Sequence, residues 1–158
     1  MPTGAVSVAP IRNEGVQIMT ISNRIDYQKP TILIADDEPH CRNVLIKMVE
    51  VLGYAALPVR DGKEAVETFT AMKNKIDLVI LDMKMPFNGE KAYTKLRKID
   101  KRARILLISG YIEDHKIRAL LEQGYSGFLE KPFNLNSLKE NIAHIILSNR
   151  QTPSATSL

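Results

Sequence analysis

Cysteine is almost missing from this chain: Cys41 is the single one among 158 residues. An internal disulfide is therefore excluded, and the chain suits a reducing compartment. No run approaches the roughly 20 apolar residues that a membrane-spanning helix requires, and residues 1–25 lack the compact apolar block of a secretory signal. The expectation is a cytoplasmic protein that does not enter a membrane. Histidine is scarce and dispersed, with His40, His115 and His144 in three separate segments, so no histidine metal cluster is expected. Helix-turn-helix, zinc-finger and aromatic RNA-binding signatures are also lacking. The net charge of +4 is accordingly not taken as a sign of nucleic acid.

What is present is the composition of an ordinary globular domain, 44% hydrophobic and 25% charged. Residues 1–29 scatter Pro, Gly, Ser and Asn without a sustained period and read as a flexible leader or linker, although Val16, Ile18 and Thr20 alternate as in a strand. Residues 149–158 trail off in Ser, Thr and Pro as a flexible tail, which leaves one domain over 30–148.

Within that domain, apolar runs and amphipathic segments alternate. Residues 78–81 form an apolar run that ends in Asp82 and is followed by loop residues Pro86, Asn88 and Gly89. Residues 31–35 form a second such run, ending in Asp36, Asp37 and Glu38, and Pro39 is suited to the first turn of a helix. Val44, Leu45, Met48, Val51 and Leu52 mark that helix's apolar face, and Gly53 supplies its stop. Residues 55–59 make a weaker strand whose Pro58 argues for an edge position. Asp61-Gly62-Lys63-Glu64 resembles a capping box ahead of Ala65, Val66, Phe69 and Met72.

Ala92, Tyr93, Leu96 and Ile99 mark a third helix, and residues 105–108 a fourth strand that ends in Ser109. A helix over 112–123 stopped by Gly124, a short strand around Phe128 and Leu129, and a last helix capped by Asn134 or Asn136 complete the set. Five strands alternating with five helices predict an α/β fold, a doubly wound parallel sheet in the flavodoxin-like order 2-1-3-4-5.

That topology brings Asp36, Asp37, Asp82, Ser109 and Lys131 to one rim, at the carboxyl ends of the strands where ligands bind in such sheets. Three close carboxylates need protons or a cation to offset their repulsion. Oxygen-only ligation favours a hard ion, and Mg²⁺ fits best. A carboxylate there can also serve as a nucleophile toward a phosphoryl group, with Lys131 as a point charge and Ser109 as a hydroxyl donor. Lys95, Arg97, Lys98, Lys101, Arg102 and Arg104 form a basic cluster on the opposite rim, read as a solvated face.

The acidic pair in Ile34-Ala35-Asp36-Asp37-Glu38-Pro39, Asp82 with Met85-Pro86, the strand-terminal Ser109 and Lys131-Pro132-Phe133 together resemble the receiver domain of two-component response regulators. The motifs around Ser109-Gly110-Tyr111 and residues 127–133 look most like receivers of hybrid sensor histidine kinases. The resemblance implies that Asp82 accepts a phosphoryl group from a phosphohistidine on a histidine kinase or histidine phosphotransfer protein. It further implies that Asp37, Asp82 and the backbone carbonyl of Lys84 bind Mg²⁺ while Asp36 assists through water. Lys131 and Ser109 would bind the phosphoryl group, Ser109 and Phe128 would switch, and Lys84 and Tyr111 would flank the site. The readout face, and a possible homodimer contact, would be the fourth helix, fifth strand and fifth helix.

The implied chemistry is self-phosphorylation and self-dephosphorylation, not turnover of a separate substrate. A Mg²⁺-dependent aspartyl-phosphate phosphotransferase acting on small molecules is the alternative, and the short loops leave it no substrate-selecting cap. A flavin-binding protein of the same topology is disfavoured by the acids after the first strand. In one place the chain departs from the family pattern: Gly89 follows Pro86 by three residues where four are usual, so the loop past Lys84 is expected to run differently.

Overall fold

The computed structural model describes residues 28–110, 114–122 and 126–148. Five strands, β1 (Thr31–Ala35), β2 (Ala55–Val59), β3 (Leu78–Asp82), β4 (Ile105–Ser109) and β5 (Ser126–Glu130), alternate with five helices. These are α1 (Pro39–Val51), α2 (Gly62–Met72), α3 (Gly89–Ile99), α4 (Asp114–Leu121) and α5 (Leu135–Ser148). All neighbouring strands pair in parallel, in the order β2-β1-β3-β4-β5. The expected doubly wound sheet is thus the observed one.

Every residue of β1, β3 and β4 is buried, as continuous apolar runs predict for strands covered on both faces. Edge strand β2 instead alternates buried and half-buried residues. Ala55 N donates to Pro30 O, and Val59 O accepts from Asp36 N, so these alternate residues bond toward β1. Pro58, one position away from Val59, faces outward, where its missing N–H breaks no ladder bond. One face of the sheet packs Leu33, Leu57, Leu81 and Leu107 against α2, α3 and α4 through Phe69, Tyr93, Leu96 and Leu120. The other packs Ile34, Ile80 and Ile108 against α1 and α5 through Leu45, Val49, Leu138 and Ile142.

The helix starts follow their signals. Glu38 caps α1 by accepting from His40 N and Cys41 N, with Pro39 in the first turn, and Gly53 follows the helix at φ +92°. Asp61 caps α2 by accepting from Glu64 N, but the Glu64 carboxylate returns to Arg60 N, one residue before the position expected for a capping box. Asn88 caps α3, and Asn134, not Asn136, caps α5.

Two expectations fail. In α1 the buried residues are Leu45 and Val49, whereas Val44 is 41% and Val51 74% exposed. At 100° per residue Leu52 and Val49 flank Leu45 closely, while Val44 and Val51 both fall 100° or more to one side. In the basic cluster Arg97 is buried, because its guanidinium bonds Tyr93 Oη, Lys101 O and Ala103 O. The strand suggested by Val16, Ile18 and Thr20, the leader up to residue 27, Tyr111, the ends of the fourth helix at Ile112 and Gln123 with Gly124, and the tail 149–158 lie outside the described residues.

Candidate functional site

Parallel strands end on one rim, and four of the predicted site residues sit at those ends. Asp36 directly follows β1, Asp82 closes β3, Ser109 closes β4, and Lys131 directly follows β5. Carboxylate oxygens of Asp36, Asp37 and Asp82 lie within 4.8 Å of one another. Asp36 and Ser109 are fully buried, Asp82 nearly so, and Asp37 is exposed. The Lys131 ammonium reaches between two of the acids, 3.5 Å from Asp36 Oδ2 and 3.3 Å from Asp82 Oδ2.

The backbone fixes the second oxygen of each of these acids. Asp36 Oδ1 accepts from Glu38 N at 2.9 Å, and Asp82 Oδ1 accepts from Lys84 N at 2.9 Å. Lys131 N donates to Ser109 O, tying the ends of β4 and β5 together. Phe128 pairs in register with Leu107, two residues back from the rim, and packs half-buried against the core on the α2–α4 side. Lys84 is exposed in the loop, while Tyr111 lies outside the described residues.

Burial raises the Asp36 carboxyl above its ordinary range, and the Glu38 N–H and the Lys131 charge only partly oppose this. Burial acts against the Lys131 charge as well, but Asp82 and Asp36 together outweigh it and hold the amine above the usual lysine value. Lys131 thus stays cationic, and three carboxylates with one ammonium leave a formal charge of −2. An all-oxygen donor set with that charge, one member exposed to solvent, fits a hard divalent cation.

Three supporting features were not legible in the motifs. Arg42 Nη1 donates to Asp36 O at 2.7 Å, bracing the exit from β1. The shortened loop is closed by Gly89, where a Cβ would lie 2.6 Å from Asp82 O and 2.7 Å from Met83 Cα, so α3 starts directly against the backbone of Asp82. Phe87 turns inward from the same loop. The glycine was visible in the sequence, but its contact with the strand end was not.

An acid-lined rim with a lysine drawn between two carboxylates, on a parallel sheet of this order, defines an α/β domain whose strand ends suit a hard cation. The chain belongs to the response regulator receiver domain family, whose model matches residues 32–143. It is 31% identical over 127 residues to the autoinducer 1 sensor kinase/phosphatase LuxN of Vibrio campbellii, covering 80% of this chain and 15% of that protein. It is 28% identical over 135 residues to the chemotaxis protein CheY of Treponema pallidum, covering 80% of this chain and 94% of that one. Among solved structures, the receiver domain of a sensor histidine kinase from Pseudomonas aeruginosa PAO1, with a magnesium ion coordinated in its active site cleft, is similar at a TM-score of 0.67 and 25% identity. That match covers 75% of this chain and 98% of the solved one. The chain therefore spans a small part of the sensor kinase and nearly all of the chemotaxis protein. No helix among the described residues is long and apolar enough to cross a membrane.

Proposed function

We propose that Asp82 is the phosphoacceptor of this receiver, and that the donor is a phosphohistidine of a histidine kinase or histidine phosphotransfer protein. An Asp82 carboxylate oxygen forms the new P–O bond while the P–N bond to the donor imidazole breaks, and the departing imidazole takes up a proton. The observation that carries this reading is the placement of the Lys131 ammonium between Asp36 and Asp82 on a rim of three carboxylates. Asp37, Asp82 and the Lys84 carbonyl would hold Mg²⁺, with Asp36 assisting. Mg²⁺, when bound, supplies neutralisation of charge on the phosphoryl oxygens. Lys131 balances the remaining charge, and the Ser109 hydroxyl donates to a phosphoryl oxygen.

A phosphoryl group adds about −1.5 to −2 charges at the rim. Ser109 following that charge, and Phe128 rotating behind it, bias an existing two-state equilibrium toward a form read on the α4–β5–α5 face, which also serves as a possible homodimer contact. Residues 30–148 form the receiver unit, with 1–29 and 149–158 flanking it, in the cytoplasm. The chemistry is confined to gaining and losing this one group. Its similarity to a part of LuxN supports a phosphorelay partner, and its match to nearly the whole of CheY supports a stand-alone regulator equally well.

Incubation with acetyl phosphate and Mg²⁺ tests the assignment, with intact-mass detection of one added phosphate. The wild type is expected to label and Asp82→Ala to remain unlabelled. Equal labelling of both would refute the role of Asp82.

A further inference from the structure

The Asp82 carboxylate is oriented by Lys84 N, so the orientation of the acceptor is only as fixed as the loop that carries Lys84. Between the buried Met85 and Gly89, Pro86 and Asn88 are exposed and only Phe87 turns inward. Its side chain packs against the core on the α2–α4 side, and the Lys95 ammonium sits 5.1 Å from its ring centroid. Beneath it lies Gly62, the first residue of α2. A Cβ at Gly62 would fall 2.8 Å from Phe87 Cδ1, 2.9 Å from Phe87 O and 2.9 Å from Ala92 Cβ.

Gly62 does not occupy the left-handed region, so backbone conformation does not demand glycine there. What the absent side chain provides is room for Phe87. On the other side of the loop, Gly89 lies against the carbonyl of Asp82. The acceptor loop is thus held at two points, by Phe87 on the α2 N-terminus and by Gly89 on the end of β3.

We propose that Phe87, seated on Gly62, is a positioning residue for phosphoryl transfer: it fixes the loop that orients Asp82, and couples the N-terminus of α2 to the acceptor. This rests on Asp82 being the phosphoacceptor. A displaced loop misplaces the acceptor oxygen, and errors of about 1 Å in such alignment cost up to roughly a hundredfold in rate.

The test compares wild type, Phe87→Leu, Phe87→Ala, Gly62→Ala and the Phe87→Ala/Gly62→Ala double variant in three measurements. These are the rate constant of labelling by acetyl phosphate with Mg²⁺, the melting temperature, and the amide shifts of Asp82 and Lys84 in metal-free protein. Gly62→Ala is expected to stay folded with a melting temperature lowered by several degrees, to label about tenfold more slowly, and to show moved shifts at Lys84. Phe87→Ala is expected to slow labelling similarly, Phe87→Leu to retain most of the rate, and Gly62→Ala to slow labelling less in the Phe87→Ala background than in wild type, because the contact with the ring is gone. Wild-type labelling rates and unmoved Lys84 shifts in both single variants would overturn the proposal, as would additive effects in the double variant. Labelling of Asp82→Ala as fast as wild type is a separate outcome, one that removes the acceptor assignment on which the proposal stands.

Discussion

Removing one oxygen atom, by Tyr93→Phe, should unfasten three elements at once. Tyr93 is fully buried on α3, where its hydroxyl donates to Leu120 O of α4 at 2.8 Å and accepts from Arg97 Nε at 3.1 Å. Arg97 in turn donates to Lys101 O and Ala103 O, so the chain entering β4 is fastened to the same point. Phenylalanine keeps the ring and deletes both hydroxyl bonds. A neutral hydrogen bond contributes about 1 kcal/mol and one from a charged donor about 2 kcal/mol, so the expected loss is about 3 kcal/mol. For a folded unit of this size that corresponds to a fall of roughly 10 °C in melting temperature. Urea titration measures it directly: the midpoint should drop with an unchanged slope. A double-mutant cycle with Arg97→Met should give a coupling of about 1–2 kcal/mol. A loss below about 1 kcal/mol with no coupling would show that these hydrogen bonds do not contribute as reasoned.

Other expectations follow from the same structure. The Glu38 carboxylate is held at about 2 rather than 4.5, chiefly by the Cys41 thiol and by the Cys41 and His40 amides. Its contribution to stability is therefore complete above pH 4.5 and is lost as the pH falls toward about 2. Glu38→Gln should flatten the melting temperature over that window; an unchanged pH profile would count against this coupling. Gly89→Ala pushes a methyl group into the Asp82–Met83 backbone and should cost about 2 kcal/mol, read as a lower urea midpoint, together with slower labelling. Lys131→Ala should fold and still take the phosphoryl group, but fail to switch. It should also bind Mg²⁺ more tightly, because a competing cation has left the carboxylates. Calorimetric titration and the amplitude of phosphorylation-induced NMR shifts check both, and wild-type switching would remove the proposed role of Lys131.

Sequence carried the sheet order and the rim because both depend on strong one-dimensional signals. A buried parallel strand is a continuous apolar run, and a charged residue that ends it marks the rim where the strands stop, as Asp36 and Asp82 do. Caps at Asp61 and Asn134 are readable because a short polar side chain before an apolar period has few other uses. Charge, by contrast, does not reveal burial. Arg97 looks like its neighbours Lys95 and Lys98, and it is the Tyr93 hydroxyl and the nearby carbonyls of Lys101 and Ala103 that make a buried guanidinium tolerable. The apolar stripe of α1 is wider in the sequence than the buried face, because Val44 and Val51 extend it 100° or more past Leu45 outside the core. Contacts between loops far apart in sequence, such as Gly62 with Phe87, leave no periodic trace and had to be seen in three dimensions.

The two ends of the sheet differ in charge, which gives the molecule a long-range orientation. Residues 89–104 hold seven cations against two acids, a net +5, while the whole chain is +4, so everything else sums to −1. The excess cations at the end of α3 and in the loop beyond it lie at the foot of the strands, and Asp36, Asp37, Glu38 and Asp82 lie at their head, where Lys84 and Lys131 offset only part of their charge. Among the described residues these groups form an electric dipole running roughly along the strands. A partner bearing a basic docking face exerts a torque on it before any atom touches, turning the acidic rim inward during the encounter. At physiological ionic strength the field fades over about 8 Å. Added salt should therefore slow such an encounter more than it loosens the complex that results.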